Sequence, residues 1–359
     1  MSDLAAAPSG LEPALAPPPR ARAAAAAGHG GAAVRAPLQL AVVVDTEEEF
    51  DWSAPFAREN RETLTIPDQA KAHAIFDRFG IVPTYVIDHP VATDPAAAAF
   101  LGALAHAGRA EIGAHLHPWV TPPFEEAVTA RNSYHGNLPP ALERAKIATL
   151  TETIATAFGF RPTVFKGGRY GFGPHTAAAL IEHGYEIDCS FVPHTSFAAD
   201  GGPSFYGRSA SPFWLDPARG LLEMPLTSGF TGPLAAVAER RPHLFDSDAA
   251  KRLHVPGLLA RLGLADRIRL SPEGHTVEEQ CRLLATLAER GQTLFTLAYH
   301  SPSLSPGHSP YVRTEADLAA FLANLEAVLA FFRDRLGGTF TTLTRYRASL
   351  LAGEERAAA

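Results

Sequence analysis

Unbroken apolar runs alternate along this chain with stretches of helical period. The run at residues 38–44 is apolar except for Gln39, as expected of a strand buried on both faces. Similar runs at 82–87, 110–114, 163–166, 186–190, 221–226 and 294–299 make seven core strands with it, and 339–343 reads as a last short one. Helix signals lie between them. A helix from Pro67 to Phe79 is stopped by Gly80. Asp94 caps a second, with Pro95 at its first position and Gly108 beyond its end. Residues 140–158 form a long helix, and another runs from near Pro174 to Gly184. Thr276-Val277-Glu278-Glu279 is a capping box opening a helix that ends at Gly291, and Thr314 to Arg335 is the last long helix.

This alternation predicts a parallel sheet, closed or nearly closed into a barrel, over about residues 38–348. Residues 230–274 read as a helical, Arg-rich insertion without strand signals until about 267–270. Residues 1–37 are an Ala/Pro-rich stretch expected to be a disordered tail, and 349–359 a short C-terminal tail.

Composition narrows the function. The 359-residue chain is 46% hydrophobic and carries a net charge of −7 without a dense Lys/Arg run, which argues against a nucleic-acid partner. Cys189 and Cys281, the two cysteines, are too few for a disulfide framework or a thiolate zinc site. No stretch approaches the ~20 apolar residues of a membrane span, and the N-terminus lacks a secretory signal's compact apolar core. A soluble, cytoplasmic protein is the expectation. No Gly-x-Ser-x-Gly elbow and no Gly-x-Gly-x-x-Gly follow a strand, against a serine hydrolase and against a nucleotide cofactor.

Candidate chemistry sits at the strand ends. Five polar clusters end these runs: Asp45-Thr46-Glu47-Glu48, His115-Leu116-His117, Lys166-Gly167-Gly168-Arg169, Asp188-Cys189-Ser190 and Tyr299-His300. Parallel α/β folds gather such residues at one mouth. An extended exit from the first strand points Asp45 and Glu47 to one side, so that one can bind a cation while the other acts as base. His115 and His117 likewise face one way, a pairing that suits zinc or a similar divalent ion with a carboxylate completing the set. Arg169, in a glycine-rich turn, can fix a carboxylate bidentately, Asp45 among them. His300 can serve as a general acid near neutral pH. Trp52, Trp119 and Tyr170 are positioned to line the mouth, where aromatic faces stack on sugar rings, and Asp188 can bind substrate hydroxyls; core packing or turn capping is the ordinary role of each. His135 lies in a loop and reads as solvent-exposed.

Together these segments resemble the polysaccharide deacetylase family, carbohydrate esterase family four. The matching stretches are Val42-Val43-Val44-Asp45-Thr46-Glu47, Glu111-Ile112-Gly113-Ala114-His115-Leu116-His117-Pro118, the turn from Phe165 to Gly173, and Leu297-Ala298-Tyr299-His300. They resemble most the branch associated with lipopolysaccharide or surface-polysaccharide biosynthesis. The resemblance implies a distorted (β/α)7 barrel and a divalent metal, with zinc the first choice. It also implies Asp45 as general base, Glu47 or Glu48 as metal ligand with the two histidines, His300 as general acid, Arg169 orienting Asp45, and a carbohydrate substrate.

Two positions depart from the family pattern. Thr46 stands where an Asp is usual, and the histidines are two apart instead of four, with Trp119 at the usual second position. Two rival readings follow: a hydrolase of cyclic amides or imides on the same barrel, and a degenerate barrel that binds glycan or a partner without turnover.

Overall fold

The computed structural model describes residues 37–358 apart from 219, 248, 249 and 251; all but the last residue of the Ala/Pro-rich tail lies outside them. Its strands, in chain order, are β1 (Gln39–Thr46), β2 (Thr84–Ile87), β3 (Glu111–Leu116), β4 (Val164–Gly167), β5 (Ile187–Asp188), β6 (Phe213–Asp216), β7 (Leu221–Glu223), β8 (Ser228–Thr231), β9 (Asp266–Arg269), β10 (Leu294–His300) and β11 (Thr339–Phe340).

The main sheet runs β10-β1-β2-β3-β4-β5-β7, parallel throughout, with β6 antiparallel on the outer edge of β7. β11 pairs with the start of β1. β7 and β10 do not pair with each other, but the chain after β7 closes much of the gap. Thr227 N–H donates to the Thr296 carbonyl at 3.1 Å, Thr296 N–H donates to Thr227 Oγ1 at 2.8 Å, and Ala298 N–H donates to the Leu270 carbonyl at 3.2 Å. The sheet is therefore a curled, nearly closed barrel whose parallel strands all end at one rim.

Burial explains why β1 reads as an unbroken apolar run. Leu40, Val42 and Val44 pack outward against Tyr85, Phe295 and helix residues such as Phe76 and Phe332. Ala41 and Val43 pack inward against Val86, Val164, Ile187 and Leu222. Two buried faces leave no room for polar alternation. The helices keep their sequence punctuation: Pro140–Phe158 ends at Gly159 with φ 80°, and Gln69–Phe79 ends at Gly80 with φ 67°. Asp94 accepts from Ala97 N–H, and the capping boxes at Thr276 and Thr314 both form.

The differences from expectation are local. β5 and β7 are shorter than the apolar runs suggest, because the chain beyond each turns into the barrel: Gly167 N–H donates to Ser190 Oγ and Phe191 N–H to Glu223 Oε1. An unexpected strand, β8, straddles the start of the insertion, and its Ser-Gly-Phe-Thr sequence carries one large apolar residue; it pairs antiparallel with β9 over a small core of Phe230, Ala235, Ala238 and Ala265. Past residue 348, where a tail was expected, the helix Leu343–Ala358 continues, and Leu343, Tyr346 and Leu350 pack onto the interior cluster. Among the described residues no helix is long and apolar enough to cross a membrane.

Candidate active site

Register alone assembles much of the rim. Asp45 is the partner of His300 across β1 and β10, and His115 is the partner of Lys166 across β3 and β4. Asp45, Glu47, His115 and His117 are each 2% exposed. They form the floor of a pocket of about 320 Å³ with aromatic walls, among them Phe50, Trp52, Phe56 and Tyr170.

One half of the floor is an ion-pair network. Lys166 Nζ donates to both Asp45 oxygens, at 2.6 and 2.7 Å. Burial alone would raise the Asp45 pKa, but the Lys166 ammonium overcomes it and holds the carboxyl below the ordinary range. His300 Nε2 lies 3.5 Å from Asp45 Oδ2, and its Nδ1 lies 2.7 Å from Glu273 Oε2. Burial opposes a charged His300, yet Glu273 and then Glu47 raise its pKa well above the ordinary value. Glu273 also accepts from His300 N–H and from the Ser303 hydroxyl, which fixes it in place.

The other half is a ring of acceptors. Glu47 Oε2 lies 3.5 Å from His115 Nε2 and 3.4 Å from His117 Nε2, and Glu47 Oε1 is buried with no hydrogen-bond partner among the described residues. The two Nδ1 atoms face oxygens: the Lys166 carbonyl at 3.1 Å from His115, and Glu48 Oε2 at 2.7 Å from His117. The Lys166 carbonyl requires the proton on Nδ1 of His115, and an ionised Glu48 favours the same tautomer of His117, in which each Nε2 turns a lone pair toward Glu47. Burial keeps both imidazoles neutral, His115 most strongly, and pushes Glu47 up to about 7. With Glu47 ionised, the three facing atoms are all acceptors, which is the donor set of a cation site, and the ligand atoms of Glu47, His115 and His117 lie within 4.8 Å of one another. The residues present fit a divalent metal ion.

The choice between Glu47 and Glu48 follows from their partners. Glu48 Oε1 accepts from Trp119 Nε1–H at 2.7 Å, and Glu48 N–H donates to Asp88 Oδ2 at 2.6 Å. Glu48 thus belongs behind His117, orienting its ring, as carboxylates do for metal-binding histidines. The short His-x-His spacing still brings both rings to one carboxylate because His115 ends β3 and His117 follows in extended chain.

Several expected residues fall elsewhere. Arg169 does not touch Asp45; its guanidinium donates to Ser133 Oγ at 2.6 Å and Asp200 Oδ2 at 3.0 Å, over the Tyr134 ring. Arg169 and Tyr170 adopt left-handed φ of 54° and 61°, which carries Arg169 to the pocket wall while Lys166, still within β4, points inward. Asp188 is fully buried beneath the pocket, accepting from Ser190 Oγ at 2.7 Å, and does not line it. Trp119 is 2% exposed and stacks on His117 with centroids 4.3 Å apart, so it anchors the histidine side rather than offering an open face. Trp52 and Tyr170 do line the pocket, Trp52 edge-on to His300 at 5.0 Å. His135 is buried, not exposed, with Nδ1 3.0 Å from Glu143 Oε1, because its loop packs against the Phe172–Gly173 backbone at Gly136.

Neither family models nor curated proteins match this chain. Among solved structures it is similar to a protein from Mycobacterium smegmatis assigned provisionally as a polysaccharide deacetylase, at 15% identity over 89% of this chain and 92% of that one, with a TM-score of 0.50. An allantoinase (16% identity, 86% and 89% covered, TM-score 0.49) and a protein from Pseudomonas aeruginosa PAO1 assigned as a polysaccharide deacetylase (16%, 86% and 89%, 0.47) are also similar. At 15% identity the likeness to the first is one of fold.

Proposed function

We propose that this protein is a metal-dependent amide hydrolase that removes an N-acetyl group from a sugar residue of a glycan or glycan precursor. The observation that carries the reading is Glu47 facing two neutral imidazole Nε2 atoms beside a lysine-held Asp45. Glu47, His115 and His117 would hold the ion, and their two nitrogens and one carboxylate favour zinc. Such an ion polarises an acyl carbonyl and lowers the pKa of a water at the site.

The polypeptide supplies the proton transfers. Asp45, kept ionised by Lys166, accepts a proton from the attacking water. His300, its charge held by Glu273, donates from Nε2 to the nitrogen as the C–N bond breaks. Glu48 and Trp119 keep the His117 ring in place. The aromatic walls suit the apolar face of a sugar ring. On the sequence resemblance, a surface-polysaccharide precursor is the glycan favoured.

The bounded pocket of about 320 Å³ also fits a cyclic amide or imide, which is the second reading. Acetate release from N-acetylated sugars, compared with ring opening of a cyclic imide, separates the two. Asp45→Asn should keep bound metal and lose roughly 10²–10⁴-fold in turnover. Wild-type turnover in that variant would remove Asp45 from the mechanism.

A further inference from the structure

Beside the pocket lies a second recess of about 240 Å³, and the two share Asp45, Tyr170, His300, Tyr311 and Arg269. Arg269 ends β9, so it reaches the reaction centre from the insertion and not from a barrel strand. It is half-buried, and its backbone N–H donates to His275 Nε2 at 3.3 Å.

The other cationic side chains around the reaction centre have partners. Lys166 is paired with Asp45, His300 with Glu273, and Arg169 with Asp200. Glu273 shares the recess with Arg269, but its oxygens are committed to His300 and Ser303. The Arg269 guanidinium has no hydrogen bond or ion pair among the described residues. Trp52, packed against both His300 and Tyr311, adds a buried Nε1–H without an acceptor among those residues. A half-buried cation and a spare donor at the mouth of a reaction centre leave an unmet demand for anionic oxygen.

We infer that Arg269 binds a negatively charged group, carboxylate or phosphate, carried by the substrate beside its acyl-amide. The substrate class is then an acidic N-acyl sugar rather than a neutral one. The location of the amide rests on the hydrolase reading above; the anion site rests on Arg269 alone.

Calorimetric titration of the full chain with N-acetylglucosamine, N-acetylglucosamine 6-phosphate and N-acetylmuramic acid tests this without requiring turnover. Wild-type protein should bind at least one acidic probe roughly tenfold or more tighter than the neutral one. That ratio should collapse towards one in Arg269→Met and be kept in part by Arg269→Lys. Whichever acidic probe holds the preference distinguishes phosphate from carboxylate. Equal affinity for charged and neutral probes, an undiminished preference in Arg269→Met, or no binding of any probe overturns the inference. Acetate release measured on the same samples keeps the two claims apart. Release without charge preference sinks the anion site alone, and an Arg269-dependent preference without release sinks the hydrolase reading alone.

Discussion

Asp45 and Glu47 leave the same strand two residues apart and are equally buried, yet their carboxyls are driven in opposite directions. Burial pushes both up. Asp45 meets a lysine ammonium at hydrogen-bond distance and stays ionised. Glu47 meets two neutral imidazoles and is pushed up to about 7. The Asp45 half of the floor balances its own charge within the polypeptide. The Glu47 half, backed by Glu48 and Asp88, is rich in carboxyls, and the cation that acts on it, His300, has its charge already held by Glu273. The state of a buried acid is set by what faces it, and the second half is built to receive charge from outside.

The sharpest way to break that contrast is to remove the internal cation. Lys166→Met leaves Asp45 buried without its partner, which should destabilise the fold by about 3–5 kcal/mol. Lys166→Arg keeps a cation and should retain much of that stability. Denaturant unfolding of both variants measures the difference. A Lys166→Met protein as stable as wild type would mean that Asp45 is not held as an ion by this pair.

A smaller effect is expected at the proposed metal site. Trp119→Phe keeps the stack on His117 but removes the donor to Glu48. Loosening the carboxylate behind His117 should lower metal affinity about 10–100-fold, read by competition with a chelator of known affinity. Unchanged affinity would assign Trp119 to packing alone.

What the sequence revealed of this site divides along the same line. The convergence of Asp45, Glu47, His115, His117 and His300 was legible because each stands at or just past the end of an apolar strand, and register does the rest. Lys166 was harder to see. It is the inward-facing residue of β4, but Arg169, three residues on in a glycine turn, was the more conspicuous cation. Only the left-handed backbone at Arg169 and Tyr170 sends that guanidinium to the wall, and no residue type there announces it. Glu273 and Arg269 come from the insertion. They reach the site because the chain around β8 and β9 hydrogen-bonds to β10 through Thr227 and Leu270, contacts without local sequence signature. Elements defined by period and punctuation were readable; contacts made by docking were not.

A third buried acid site sharpens the rule on a smaller scale. Behind Lys166, Asp188 and Glu223 face each other, and Glu223 Oε2 has no donor of its own among the described residues. Burial first, and then Asp188, raises the Glu223 pKa well above the ordinary range, which favours a proton on Glu223 in the folded protein. The unfolded chain releases that proton above about pH 4. The folded-state pKa is the higher, so the group's contribution to stability is complete below the unfolded pKa and is lost as pH rises through the folded one. In Glu223→Gln the amide oxygen can still accept from Phe191 N–H, and the amide nitrogen can donate to Asp188 without titrating. The variant should therefore lose less stability than wild type between pH 5 and pH 8, a difference of about 1–3 °C in the change of Tm. Parallel Tm-versus-pH curves for the two proteins would show that no proton is held there, and that the two acids are reconciled some other way.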